Sequence, residues 1–173
     1  RWDYDYTGGN SSGDLDKLRD KRVGIIGTGA TSVQCVPHLG RSAKELYVFQ
    51  RTPSSVDVRA DRPTDPEWAA SLEPGWQQER IANFTNVISG GDFDVDLVND
   101  GWTDLIGNIL LAARRRQKAG EEVEDPQALI QQADDQKMDQ VRARIDSIVK
   151  DNAAAEALKP WYNQFCKRPC FHD

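Results

Sequence analysis

Two stretches of the chain carry residue types in spacings that do chemistry. The first is Gly27-Thr28-Gly29-Ala30-Thr31-Ser32, set behind Val23-Gly24-Ile25-Ile26 and followed by Leu46-Tyr47-Val48-Phe49-Gln50-Arg51-Thr52. Glycine at 27 takes a tight turn, and glycine at 29 lets a pyrophosphate approach the free N–H groups at a helix start, where the dipole favours negative charge. NAD sites place an acid near the end of the following strand to bind the ribose 2′-hydroxyl; here Gln50-Arg51-Thr52 stands instead. A guanidinium pairs with a 2′-phosphate through charge-assisted bonds and the Thr52 hydroxyl adds a donor, so NADP is favoured over NAD. The second stretch is the tail from Trp161 to Asp173, where Lys167-Arg168 lies among aromatics, Cys166, Pro169 and Cys170. By composition the pair also reads as charges in a loop, and it becomes informative in combination with Arg51. Cys166 and Cys170 have the spacing of one helical face, but Pro169 separates them; with His38 and His172 the only histidines, no metal site is expected.

These residues need elements to hold them. Val23, Ile25 and Ile26 read as a strand buried on both faces of a parallel sheet. Val33, Val36 and Leu39 follow helical spacing, and Pro37 is placed to end or bend that helix. A second strand runs from Leu46 to Gln50. Position 32 of such a fingerprint is ordinarily glycine or alanine, for close helix-to-strand packing, and Ser32 departs from it. Ahead of this unit, the irregular residues 1–14 lead to a short helical turn that Asp14 or Asp16 would cap and that ends near Leu18.

Beyond Thr52 the pattern changes. Pro53, Pro63 and Pro66 mark a long loop to Pro66. Trp68 and Leu72 predict a short helix stopped by Pro74-Gly75, and Trp76 to Ile88 a second stopped by Gly90-Gly91. A third spans about Thr103 to Arg116, with Leu105, Ile109 and Ala112 on one face and Arg114-Arg115-Arg116 as its basic, exposed end. The fourth runs from Pro126 to about Lys150 on the stripe Leu129, Ala133, Val141, Ile145 and Ile148, with Pro126 suited to its first turn. The predicted fold class is α/β: an incomplete Rossmann-like NADP-binding βαβ unit over 1–60, a large helical insertion over 61–160, and a return segment over 161–173.

Composition narrows the function. The 173 residues are 38% hydrophobic and 29% charged, as in an ordinary globular protein, and the net charge of −6 argues against a nucleic-acid surface. No apolar run reaches the roughly 18 residues of a membrane span, and none resembles a signal peptide. Three cysteines, an odd number, favour a reducing compartment, so a cytoplasmic location is expected. A start at Arg1 and a stop at Phe171-His172-Asp173 lead us to expect an excised fragment.

Taken together, the chain resembles the NADP-binding segment of the Baeyer-Villiger monooxygenases, the class B flavoprotein monooxygenases. Gly27-Thr28-Gly29-Ala30-Thr31-Ser32-Val33-Gln34 with Val48-Phe49-Gln50-Arg51-Thr52-Pro53 is similar to the second nucleotide motif of that family and the strand after it. Trp2-Asp3 matches the end of its fingerprint Phe-x-Gly-x-x-x-His-x-x-x-Trp-Pro or Asp, and Lys167-Arg168 the basic pair after its helical insertion. The resemblance implies that the backbone of Gly27, Thr28, Gly29, Ala30, Thr31 and Ser32 holds the pyrophosphate. It further implies that Arg51, Thr52 and Lys167 surround the 2′-phosphate, that Gln34 contacts the cofactor, and that Arg168 is the catalytic arginine whose charge stabilises the anion developing during oxygenation. It implies NADPH and FAD as cofactors, FAD being bound by a domain this chain lacks, and a small ketone as substrate; the isolated chain would be inactive. Two other readings stay open: a stand-alone NADP-binding or partner-docking module without catalysis, and a fragment of an N- or S-oxidising flavin monooxygenase.

Overall fold

The computed structural model describes residues 3–10, 14–91, 93–109, 111, 116–122 and 124–172, the side chain of residue 108 apart. In chain order the elements are α1 (Tyr4–Thr7), a 3-10 turn (Asp16–Leu18), β1 (Arg22–Ile26), α2 (Ala30–Ser42), β2 (Glu45–Phe49), β3 (Val56–Asp57), α3 (Pro66–Ala70), α4 (Trp76–Ile88), α5 (Gly101–Ile109), α6 (Pro126–Ile148), α7 (Asn152–Leu158), a second 3-10 turn (Gln164–Cys166) and β4 (Cys170–Phe171). The fold is mixed α/β with a helical majority. It divides into two compact units: residues up to 56 with 141–172, and residues 57–140.

The first unit is built on β1 and β2, which pair in parallel from Arg22↔Glu45 to Ile26↔Phe49. A parallel pair needs a crossover, and α2 supplies it. Leu39 of α2 packs with Leu15 and Leu18 into a small core, against which Val23, Ile25, Cys35, Ala43 and Leu46 are half-buried. Only one face of the strands is covered in this way. On the other, Ile26 is 87% and Phe49 59% exposed, so β1 is not buried on both faces as its apolar run predicted. The run has the composition of a central strand, but a single helical layer packs on it.

One local expectation also gives way, and of the two outcomes offered for Pro37 the helix end does. No side chain caps the turn at Asp16–Leu18. Asp14 instead takes a left-handed φ of 53° and accepts the Asp16 N–H on its carbonyl at 2.8 Å. Pro37 sits inside α2, which continues to Ser42: burial of Leu39 and the bond from Ala43 N to Leu39 O at 2.8 Å hold the final turn despite the missing N–H. Within the predicted loop 52–66 lies β3, which pairs with β4. Cys166 and Cys170 lie in different elements, a 3-10 turn and a strand, not on one helical face.

The second unit is helical, and aspartates fix the starts of α3, α5 and α6. Asp65 caps α3 through Glu67 N at 2.9 Å, with Pro66 in its first turn. Asp100 accepts from Trp102 N and Thr103 N at the start of α5, and Asp125 from Gln127 N and Ala128 N at the start of α6. Here α3 ends at Ala70, short of Pro74, and the third predicted helix is observed over Gly101–Ile109; Ala112, Arg114 and Arg115 lie outside the described residues. Leu105, Ile109 and Val87 are at most 1% exposed, where α4 packs on α5. Lys137 joins Asp57 at 2.6 Å in a largely buried ion pair and reaches the more exposed Asp104 at 3.1 Å. Among the described residues no helix is long and apolar enough to cross a membrane.

Candidate nucleotide site

The glycine turn joins β1 to α2. Gly27 adopts φ 95°, a region that glycine enters freely, and its N–H donates to Phe49 O at 2.8 Å, so the turn is fastened to the end of β2. Gly29 is the N-cap of α2, and no side chain caps that helix start. The first N–H groups of α2 are therefore left for an external acceptor. A Cβ built on Gly27 or Gly29 meets nothing within 4 Å, so the cradle is open where a side chain would fill it. Those features fit a pyrophosphate. Ala30 and Ser32 are half-buried and Thr31 is exposed; Gln34, also exposed, follows them one helical turn on.

Side chains then tie the two loops together. The Thr28 hydroxyl donates to Thr52 O at 3.1 Å, and the Ser54 hydroxyl donates to Thr28 O. Arg51 next to Thr52 is exposed and makes no hydrogen bond or ion pair among the described residues, which leaves its guanidinium available to an anion. Gln50 donates through Nε2 to Ala157 O at 2.7 Å while its Oε1 is buried without a partner.

The return segment is stitched to the same loop. The Tyr162 hydroxyl donates to Pro53 O at 2.8 Å and accepts from Ser55 N at 3.0 Å. The Ser55 hydroxyl donates to Gln164 Oε1 at 2.8 Å, and Cys170 N donates to Ser55 O at 3.0 Å. Lys167 and Arg168 thus lie between two anchors, Gln164 and Cys170, that both grip Ser55. From α6, Arg144 donates to Val56 O at 3.4 Å and to His172 O at 2.9 Å, closing the pair of short strands from outside. The Lys167 ammonium stands 5.1 Å over the Tyr162 ring. Burial pushes the Tyr162 phenol up from its ordinary value, against the Ser55 N–H that favours the phenolate. Burial likewise pushes the Cys170 thiol up, partly offset by the Arg168 charge.

Of the residues singled out in sequence, Thr28 and Thr52 meet directly, and Lys167 reaches the Pro53–Ser55 loop through Tyr162. Arg168 and Gln34 are exposed and make no side-chain bond to the others among the described residues. Trp2 lies outside the described residues, and Asp3 caps α1 through Tyr6 N at 3.0 Å. Sequence reasoning missed Tyr162, Ser55, Gln164, Arg144 and Gln50. Tyr162 carries no signal in the sequence that points to its partner Pro53, which lies 109 positions away.

No family profile matches the chain. Among curated relatives, it is 60% identical over its whole length to Baeyer-Villiger monooxygenase ATR8 of Stachybotrys chlorohalonatus and 54% to Baeyer-Villiger monooxygenase 4 of a Dietzia species, covering 28% of each. It is also 59% identical to neopentalenolactone D synthase of Streptomyces avermitilis, covering 29% of it. The polycyclic ketone monooxygenase of Thermothelomyces thermophila superposes on all of this chain with a TM-score of 0.80 at 44% identity, 29% of that protein being covered. OTEMO, solved in complex with FAD and NADP, superposes with a TM-score of 0.63 at 26% identity, all of this chain matching 33% of it. The chain thus spans less than a third of the curated relatives named here. Over its full length the chain is similar to one segment of proteins named Baeyer-Villiger monooxygenases.

Proposed function

We propose that this chain is the NADPH-binding region of an FAD-dependent monooxygenase that inserts oxygen beside the carbonyl of a small ketone, working in the cytoplasm. The observation that carries the reading is the joining of the glycine turn, the Arg51-Thr52 loop and the Lys167-Arg168 segment within one compact unit. In this reading 1–60 is a Rossmann-like part, 61–160 a helical insertion and 161–173 a return segment.

The backbone from Gly27 to Ser32 holds the pyrophosphate at the uncapped start of α2. Arg51, Thr52 and Lys167 take the 2′-phosphate, and Gln34 contacts the nucleotide along the helix. Arg168, a guanidinium that stays protonated, stabilises negative charge developing on the oxygenated centre. When bound, NADPH supplies the hydride and FAD the oxygen-activating chemistry; no residue of this chain is assigned to FAD. The OTEMO complex with FAD and NADP supports the cofactor pair.

Calorimetry tests the nucleotide reading on this chain. NADPH should bind more tightly than NADH by roughly tenfold, the scale of one charge-assisted bond, and Arg51→Ala should narrow that gap. Equal affinities in the unsubstituted chain would refute it. In a longer protein containing this segment and an FAD domain, Arg168→Ala should leave flavin reduction by NADPH largely intact and abolish ester formation from a ketone.

A further inference from the structure

Trp161 opens the return segment and is 72% exposed, although the residues around it are firmly held. Pro160 before it is buried, and its carbonyl accepts from Arg142 Nη1 at 3.0 Å. Lys159 pairs with Asp146 at 2.9 Å, and Tyr162 on the other side bonds to Pro53 O and Ser55 N. The indole itself is fixed on one face, where the Arg142 guanidinium stands 4.4 Å over the ring. A side chain gripped at its backbone and on one face, with most of its surface bare, is a platform for a second planar group.

Two ties locate that platform. Gln50 Nε2 donates to Ala157 O at 2.7 Å, and the Tyr162 hydroxyl donates to Pro53 O at 2.8 Å. Residues 157 and 162 of one segment are thereby fastened to residues 50 and 53 of the other, all within one compact unit. Arg51-Thr52 lies between the two ties on its segment, and Trp161 lies between them on the facing one. Consecutive Cα atoms are only about 3.8 Å apart, so the indole borders the Arg51-Thr52 loop. Where Arg51 and Thr52 take a 2′-phosphate, the ribose bearing that phosphate carries adenine on its neighbouring carbon. A flat ring at the border of the loop therefore faces the base, and stacking asks of it only area and a free face.

We propose that Trp161 is the stacking platform for the adenine of the dinucleotide, with Arg142 holding the indole from behind. This assignment rests on the 2′-phosphate reading of Arg51. Adenosine 2′,5′-diphosphate, which carries adenine and a 2′-phosphate but no nicotinamide, is titrated into the chain beside NADPH and NADH. Trp161→Ala should weaken all three by roughly tenfold, the scale of one base stacked on an aromatic ring, and Trp161→Phe should restore most of the loss. Because adenine is common to NADPH and NADH, the ratio of their affinities should stay as it is in Trp161→Ala. A tryptophan that merely braced the loop would instead shrink that ratio, as Arg51→Ala does. Adenosine 2′,5′-diphosphate should also quench part of the tryptophan emission, and Trp161→Phe, which still binds it, should lose that quenching. Undiminished binding by Trp161→Ala, or a collapse of the ratio in that variant, would overturn the platform and leave the Arg51 reading standing. Failure of adenosine 2′,5′-diphosphate to bind the unsubstituted chain, or equal binding after Arg51→Ala, would overturn the Arg51 reading and the platform with it.

Discussion

Tyr162 does more for the nucleotide site than its exposed neighbours, because it bonds to both sides of the loop after Thr52. Its hydroxyl holds Pro53 O and Ser55 N, and its ring carries Lys167. Tyr162→Phe keeps the ring, so the contact with Lys167 survives, but it leaves a carbonyl and an N–H without their partner. We expect a loss of about 1–3 kcal/mol in urea denaturation. NADPH affinity should fall as well, because the loop bearing Arg51 and Thr52 loses its tie to Lys167; unchanged affinity would show that the loop is set by Thr28 and Ser54 alone. At this scale the sequence was legible where the chemistry is local. The glycine turn declares itself by type and spacing, whereas Tyr162, Gln50 and Arg144 act on backbone groups far along the chain, and no periodicity records such a pairing.

Among the elements, the start of α2 separates two glycines that a motif treats alike. Gly27 needs its φ of 95°, whereas Gly29 at φ −72° has ordinary extended geometry. Gly27→Ala should therefore cost about 1–2 kcal/mol from left-handed strain alone. Gly29→Ala should cost less than about 1 kcal/mol, the penalty of a poorer N-cap, yet weaken NADPH because its methyl enters the open cradle. Thermal melts paired with calorimetry distinguish the two, and a Gly29→Ala chain that binds NADPH normally would place the pyrophosphate elsewhere. The same elements show what pattern reasoning can reach. The order strand, turn, helix, strand was readable and its strand boundaries fell within one residue, because apolar runs bounded by glycine and charge are local signals. The pair β3 and β4 was not, since two residues each carry no period, and Pro37 does not end α2 because tertiary burial of Leu39 outweighs a single missing N–H.

For the whole molecule, the alkaline side of its pH dependence follows from three groups withdrawn wholly or in part from solvent, Lys137, Tyr162 and Cys170, all of which point towards alkaline loss. Burial draws the Lys137 ammonium down, but Asp57 and Asp104 outweigh it and hold the pKa above the ordinary lysine value. A raised folded pKa means that the folded state keeps its proton longer, so this contribution is complete below the unfolded pKa of about 10.4 and is lost as pH climbs through the folded value. Burial raises Tyr162 and Cys170 in the same sense, so their losses begin lower, near the ordinary phenol and thiol values of about 10 and 8.5. Urea midpoints should therefore decline steadily from about pH 8 to 11. Lys137→Met should flatten the upper part of that decline. At pH 7 it should also cost about 3 kcal/mol or more, because Asp57, with 13% of its side chain exposed, is left as a buried carboxylate without its cation. Adding Asp57→Asn to Lys137→Met should recover much of that loss, since an uncharged amide no longer requires the ammonium. Were the double variant no more stable than Lys137→Met, packing of the lysine stem rather than the ion pair would be what holds this part of the unit together.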